Sequence, residues 1–264
     1  MIQATGAILQ DTGVLVTRPA HQSQHFIDML QQAGARVIAC PTIAIEAVTR
    51  NNALQSQLDQ ISNYHILIFI SANAVTHALN WLAPEKLNTQ TIAAIGQSTK
   101  RVLAEHGLEV SLQARSGFTS EHLLQLEDLQ QPAIAGRRIL IFRGESGREQ
   151  LAKTLTERGA QVDYAEVYRR TIPRTKIGPI LEQWANGAIN LVTVTSNQTL
   201  ENLYYLLNDQ GSDYLNTTDL IVPGKRCFEL ARLQGHTGKI QIASSAMDKD
   251  MFQAVLDWHS AKIR

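Results

Sequence analysis

The feature that most constrains this chain is that it repeats itself. Val14-Leu15-Val16-Thr17-Arg18 and Ile139-Leu140-Ile141-Phe142-Arg143 are each a short apolar run ending in Arg, and the two arginines lie 125 residues apart. Such runs read as buried parallel strands. Each leads into an amphipathic stretch, with Phe26 and Leu30 in one and Leu151 and Leu155 in the other, that stops at Gly34-Ala35 or Gly159-Ala160. Glycine there can take the left-handed conformation that ends a helix. A second strand follows from Val37 and from Val162.

The next blocks keep the register. Ile66-Leu67-Ile68-Phe69-Ile70-Ser71 matches Leu191-Val192-Thr193-Val194-Thr195-Ser196 at the same offset of 125, and each Ser opens a helical pattern. Ile92-Ala93-Ala94-Ile95-Gly96 then matches Leu220-Ile221-Val222-Pro223-Gly224, and the helices after them end near Gly107 and Gly235, 128 apart. Leu123-Leu124 and Met251-Phe252 close the two copies at that spacing. A nearly constant offset over four blocks marks an internal duplication. Strand–helix alternation in each copy predicts an α/β fold of two similar doubly wound, parallel-sheet domains.

Where one domain ends is left open by periodicity. A tandem cut near Gln130-Gln131-Pro132 is one division. The other uses the equivalent segments Pro41–Glu46 and Glu166–Thr171 as chain crossings, which gives one domain from both termini and another from the middle. Two extended crossings of this kind could pair as a two-stranded hinge.

Ligands of doubly wound sheets bind beyond the carboxyl ends of the strands. Those ends carry Arg18, Ser71, Gly96, Arg143, Ser196 and Gly224. Ser71-Ala72-Asn73, Gln97-Ser98-Thr99 and Ser196-Asn197-Gln198 read as helix starts. Ordinary capping accounts for such residues; convergent free N–H groups would equally hold an anion. Arg18, Arg143 and Arg148 nearby favour a ligand with several carboxylates or phosphates. Lys plus Arg equals Asp plus Glu at 24 each, so no global field draws the chain to nucleic acid or an anionic membrane.

Familiar chemistry is missing from the remaining motifs. Gly144-Glu145-Ser146-Gly147 lacks the lysine of a P-loop, Arg18-Pro19-Ala20-His21 is not GxGxxG, and no GxSxG occurs. His21 and His25 are four apart but lie on a polar stretch, as a solvated helix face would. Cys40 and Cys227 show no CxxC spacing, and no basic region followed by an apolar stretch opens the sequence. A reduced, cytoplasmic protein is expected. Tyr168 stands where the other copy has Ile43. A core or hinge aromatic is one reading; a cleft-facing phenol, protonated at neutral pH, is the other.

Taken in order, several stretches resemble uroporphyrinogen-III synthases: Val16-Thr17-Arg18-Pro19, Phe69-Ile70-Ser71-Ala72-Asn73-Ala74-Val75, Ala94-Ile95-Gly96-Gln97-Ser98-Thr99, Phe142-Arg143-Gly144 with Gly147-Arg148-Glu149, and Gly159-Ala160-Gln161-Val162 leading to Val167-Tyr168-Arg169-Arg170. The likeness runs from Val14 to about Val255. It implies flavodoxin-like domains divided as 1–40 with 173–264, and 48–165, joined by a two-stranded linker of 41–47 and 166–172, with an active-site cleft between them.

The resemblance further implies a cofactor-free hydro-lyase of tetrapyrrole synthesis, a monomer whose partner is its substrate, hydroxymethylbilane. The bilane loses its terminal hydroxyl as water, closes through a spiro intermediate and inverts ring D to give uroporphyrinogen III. Tyr168 matches the family's linker tyrosine, implied as the acid for water loss. Arg18, Ser71, Ala72, Asn73, Gly96, Ser98, Thr99, Arg143, Gly144, Arg148, Ser196 and Asn197 would bind the eight carboxylates. Val222-Pro223-Gly224-Lys225-Arg226 departs from the family pattern, so no role is assigned to Lys225 or Arg226. A rival reading from the duplication is a non-catalytic two-domain hinge protein that binds a polycarboxylate.

Overall fold

The structure is a computed structural model that describes residues 8–49, 51–114, 116–147 and 149–263. The chain divides into two compact units, one of residues 1–44 with 171–264 and one of residues 45–170. The strands are numbered along the chain: β1 Gly13–Val16, β2 Arg36–Ala39, β3 Ala44–Ala47, β4 Ile66–Phe69, β5 Thr91–Ala94, β6 Arg138–Gly144, β7 Gln161–Thr171, β8 Leu191–Thr193, β9 Asp219–Val222 and β10 Ile240–Ile242.

The first unit holds a sheet in the order β10-β9-β8-β1-β2, with every neighbouring pair parallel. Counted within the unit, this is the 2-1-3-4-5 order of doubly wound sheets, and the order reverses between β1 and β8. The strands are covered on both faces. Val14, Val16, Leu191 and Ile221 pack to one side with Phe26, Leu30, Met251 and Trp258. Leu15, Val192, Leu220 and Val222 pack to the other with Trp184, Leu200 and Leu203. Burial on both faces is why these strands read as continuous apolar runs rather than alternating ones.

The second unit repeats this plan in the order β3-β7-β6-β4-β5, with its reversal between β4 and β6. Ile66, Ile68, Ile139 and Ile141 face one core; Leu67, Phe69, Leu140 and Phe142 face the other. There Phe69 and Phe142 stack with centroids 4.5 Å apart. The two copies differ at their edge. Leu112, 128 residues before Ile240, forms only an isolated parallel bridge to Ala93, where the first unit has the strand β10. The closing helix is four residues long at Ser120–Leu123 and sixteen at Asp248–Ile263.

The glycines that end the first helices behave as their position requires: Gly34 has φ 96° and Gly159 φ 90°. Parts of the two segments expected as a linker lie in the neighbouring strands β3 and β7. Residues 166–168 are not free of the sheet, because β7 runs unbroken from Gln161 to Thr171 and pairs with β6 up to Tyr168. On the other side only Ala44–Ala47 is a strand, and it borders β7 as the edge of the second unit's sheet.

Candidate functional site

Ser71 and Ser196, equivalent in the repeat, each end a strand and start a helix. Ser71 Oγ accepts the Ala74 N–H at 3.1 Å at the head of the helix Ala72–Leu79. Ser196 Oγ accepts the Thr199 N–H at 3.1 Å at the head of the helix Asn197–Thr217. Both residues have extended backbone and half-buried side chains, as N-caps do. Beyond this shared bond the copies part. Ser196 Oγ lies 2.8 Å from the Thr199 hydroxyl. In the second unit the matching residue is Ala74, and the place is taken by the phenol of Tyr168, 3.2 Å from Ser71 Oγ.

Tyr168 comes to that place through an irregularity in the sheet. Arg143 pairs with Glu166, but the next residue, Gly144, pairs with Tyr168, so Val167 is the extra residue of a β-bulge. Ala165, Val167 and Tyr168 then all pack into one core, although neighbours in a regular strand point to opposite faces. Tyr168 is 3% exposed, and its ring stacks 5.8 Å from His77 and lies over Gly144. The Tyr168 carbonyl accepts the Glu145 N–H at 2.7 Å. Tyr168 is therefore a strand residue with a buried side chain.

The two repeat arginines are already paired within their own units. Arg143 is buried; its Nη1 lies 3.0 Å from Glu149, its Nε 3.6 Å from Glu166, and its guanidinium 4.2 Å from the centroid of Tyr164. Hydrogen bonds from Tyr164 and Arg143 hold Glu149 below the usual carboxylate range. Burial and that same carboxylate push the Tyr164 phenol up to about 12. Arg18 forms an ion pair with Asp248 and donates to the Ala246 carbonyl, and its guanidinium lies 5.3 Å from the centroid of Phe26. Burial lowers its pKa and Asp248 opposes that shift. His25 Nδ1 is 2.7 Å from the other Asp248 oxygen, so the polar helix face is tied to the last helix rather than merely solvated.

The other expected residues fall into two sets. Gly96 precedes the helix Gln97–Glu105, with Ser98 exposed and Thr99 buried in its first turn. That helix packs against Ala72–Leu79, so Ser71, Ala72, Asn73, Gly96, Arg143, Gly144 and Tyr168 share the carboxyl-end region of the second unit's sheet. Arg18, Ser196 and Asn197 occupy the matching end in the first unit. Arg148 lies outside the described residues.

Sequence reasoning missed a buried polar cluster beneath the first unit's reversal point. Thr17 Oγ1 donates to the Thr193 carbonyl at 2.7 Å, Thr42 Oγ1 to the Thr199 carbonyl at 3.2 Å, and Asn202 Nδ2 to the Thr42 carbonyl at 2.8 Å. All are buried, and together they tie the ends of β1 and β8 to the helix that Ser196 caps. A threonine gives no local signal that its hydroxyl will bond to a carbonyl distant in the chain. A threonine ending or interrupting an apolar run, as at Thr17 and Thr193, was the one available hint.

Comparison with known proteins gives a consistent result. The family model described as uroporphyrinogen-III synthase HemD matches residues 24–253. The uroporphyrinogen-III synthase of Escherichia coli strain K12 is 30% identical over 246 residues, covering 92% of this chain and 99% of that protein. That of Proteus mirabilis is 33% identical over 193 residues, 72% of this chain and 96% of the relative. Among solved structures, the synthetase from Helicobacter pylori 26695 superposes with a TM-score of 0.62 at 16% identity, covering 94% and 99% of the two chains. A mutant synthase from the extremely thermophilic bacterium Thermus thermophilus gives 0.55 at 18%, covering 95% and 99%. At these identities the structural likeness speaks for the fold.

Proposed function

Since this chain belongs to the uroporphyrinogen-III synthase family, we propose that it cyclises hydroxymethylbilane to uroporphyrinogen III with Tyr168 assisting loss of the terminal hydroxyl. The enzyme is a hydro-lyase of haem biosynthesis. The chain spans nearly the full length of its Escherichia coli relative, so the activity is assigned to the whole chain. This favours a catalyst over a non-catalytic polycarboxylate binder.

The observation that carries the site assignment is the Ser71–Tyr168 contact of 3.2 Å. Ser71 Oγ already accepts the Ala74 N–H, so its own hydrogen is available to the phenol oxygen. In that arrangement the phenol proton is free for an outside acceptor. When the C–O bond of the bilane breaks, that proton goes to the departing hydroxyl, which leaves as water. The phenolate left behind faces the Ser71 hydroxyl and the positive end of the helix Ala72–Leu79. The azafulvenium attacks the substituted carbon of ring D to give the spiro intermediate, which fragments and recloses with that ring inverted, and the proton that the cyclised product sheds restores the phenol. General acid assistance is worth ~10²–10⁴-fold; the rest is orientation of the chain ends.

Carboxylate binding is assigned to helix starts: Ala72 and Asn73 behind the cap Ser71, Gly96 with Ser98 and Thr99, and Ser196 with Asn197. Arg18 and Arg143, each neutralised by a carboxylate of its own unit, add hydrogen-bond donors more than net charge. We assign the enzyme to the cytoplasm as a cofactor-free monomer. Among the described residues no helix is long and apolar enough to cross a membrane.

The test is product chromatography. Bilane closes spontaneously to isomer I, so isomer III reports catalysis. Tyr168→Phe is expected to slow isomer III formation about 100-fold, within the scale of general acid help, while circular dichroism stays native. Isomer III formed at the wild-type rate by Tyr168→Phe removes the acid role.

A further inference from the structure

We propose that Gly144 and Ser71 act through Tyr168, as a seat that fixes where its phenol oxygen lies, rather than by contacting substrate. The inference rests on the acid role assigned to Tyr168.

Gly144 is not a glycine for conformational reasons, since its φ lies outside the left-handed region. It is a glycine for space. A Cβ on Gly144 would come within 2.7–2.8 Å of two ring carbons of Tyr168, closer than real contacts allow. The clash is with the ring itself, so an added methyl would move the phenol. The bulge brings that ring here: regular pairing would set Val167 beside Gly144, and the slip after Arg143 sets Tyr168 there. Bulges commonly re-aim a side chain in this way. On the near side of the slip, Arg143 is held to Glu166, which keeps the register fixed up to the irregular residue.

The other half of the seat is Ser71. Its counterpart Ser196 uses the same oxygen to cap a helix but meets the Thr199 hydroxyl. Position 74 carries alanine where position 199 carries threonine, and this leaves Ser71 Oγ open to the phenol at 3.2 Å. One copy of the repeat thus keeps a self-contained cap, and the other turns its cap toward Tyr168. Three differences between the copies, Gly144 for Pro19, Ala74 for Thr199 and Tyr168 for Ile43, converge on one ring.

The experiment measures kcat and KM for isomer III formation in Gly144→Ala, Ser71→Ala and Ser71→Thr, each alone and combined with Tyr168→Phe. Displacing a reacting group by about 1 Å costs up to roughly 100-fold. Gly144→Ala and Ser71→Ala are therefore expected to lose roughly 10–100-fold in kcat with little change in KM, and Ser71→Thr to recover most of that loss. In the Tyr168→Phe background neither alanine variant should cost anything more. A raised KM with kcat unchanged, or losses that multiply with that of Tyr168→Phe, overturns the seat.

If Gly144→Ala does not fold, the Ser71 variants decide by the same criterion. A separate readout needs no turnover: the 13Cζ resonance of Tyr168, identified by its loss in Tyr168→Phe, should shift in folded Gly144→Ala. An unmoved resonance overturns the seat whatever the kinetics. Full activity of Tyr168→Phe with a shifted resonance removes the acid role and leaves the seat standing.

Discussion

The Ser71 hydroxyl oxygen lies 3.2 Å from the Tyr168 phenol oxygen while accepting the Ala74 N–H at 3.1 Å. One atom therefore belongs both to the stability of a helix and to the placement of the group assigned to acid catalysis. The equivalent atom of Ser196 does only the first.

That division predicts a contrast between two chemically identical substitutions. Ser71→Ala and Ser196→Ala each remove an N-cap and should each cost about 1 kcal/mol. Denaturant unfolding should give similar losses for both. The loss of kcat that depends on Tyr168 should appear only in Ser71→Ala; an equal loss in both variants contradicts the contrast.

The Arg18–Asp248 pair should matter to stability more than a surface ion pair does. The Arg18 side chain is 12% exposed and burial already disfavours its charge. Asp248→Asn removes the opposing charge and is expected to cost roughly 1–3 kcal/mol. Urea unfolding of the variant checks this, and a change within a few tenths would place the pair among ordinary surface contacts.

His236 should make the protein sensitive to mild acid. It is buried, and burial first and Arg232 second lower its pKa from the ordinary 6.5, against smaller opposing contributions from the Lys239 and Leu215 backbone and from Asp219. Below pH 6.5 the unfolded chain takes up a proton that the folded chain refuses. Stability present above that pH is therefore lost as pH falls toward the folded value, by at most about 1.4 kcal/mol per unit. Thermal midpoints between pH 7.5 and 5.5 should fall less steeply in His236→Leu than in wild type. Parallel profiles would acquit His236.

Cys40 and Cys227 should be inert in the folded protein. Burial pushes each thiol up to about 11, with the Glu201 charge adding to the shift at Cys227. At pH 8 neither is a thiolate and neither is accessible. A thiol-specific reagent should label both of the chain's cysteines only in denaturant; rapid labelling of the native protein would contradict this burial.

Much of the fold was legible because it is written locally. The 125-residue offset pairs Ser71 with Ser196 as caps and Gly34 with Gly159 as helix ends, and the structure has all four in those places. Capping and left-handed glycine are decided within a few residues of chain, so sequence can show them. The site was less legible. Arg18 and Arg143 stood out as anion receivers because nothing in their neighbourhood announces Asp248, 230 residues away, or the approach of Glu166 across a strand pair.

By itself, then, the sequence determined that two α/β units share one plan, which runs are buried strands, where helices start and stop, and which family the chain resembles. Hydrophobic run length, capping and a nearly constant offset carry that information without tertiary contacts. Only the tertiary structure decided that Tyr168 is a strand residue whose ring lies on Gly144 and whose oxygen meets Ser71. A one-residue slip between β6 and β7 has no local signature, because it is a property of how two distant segments align.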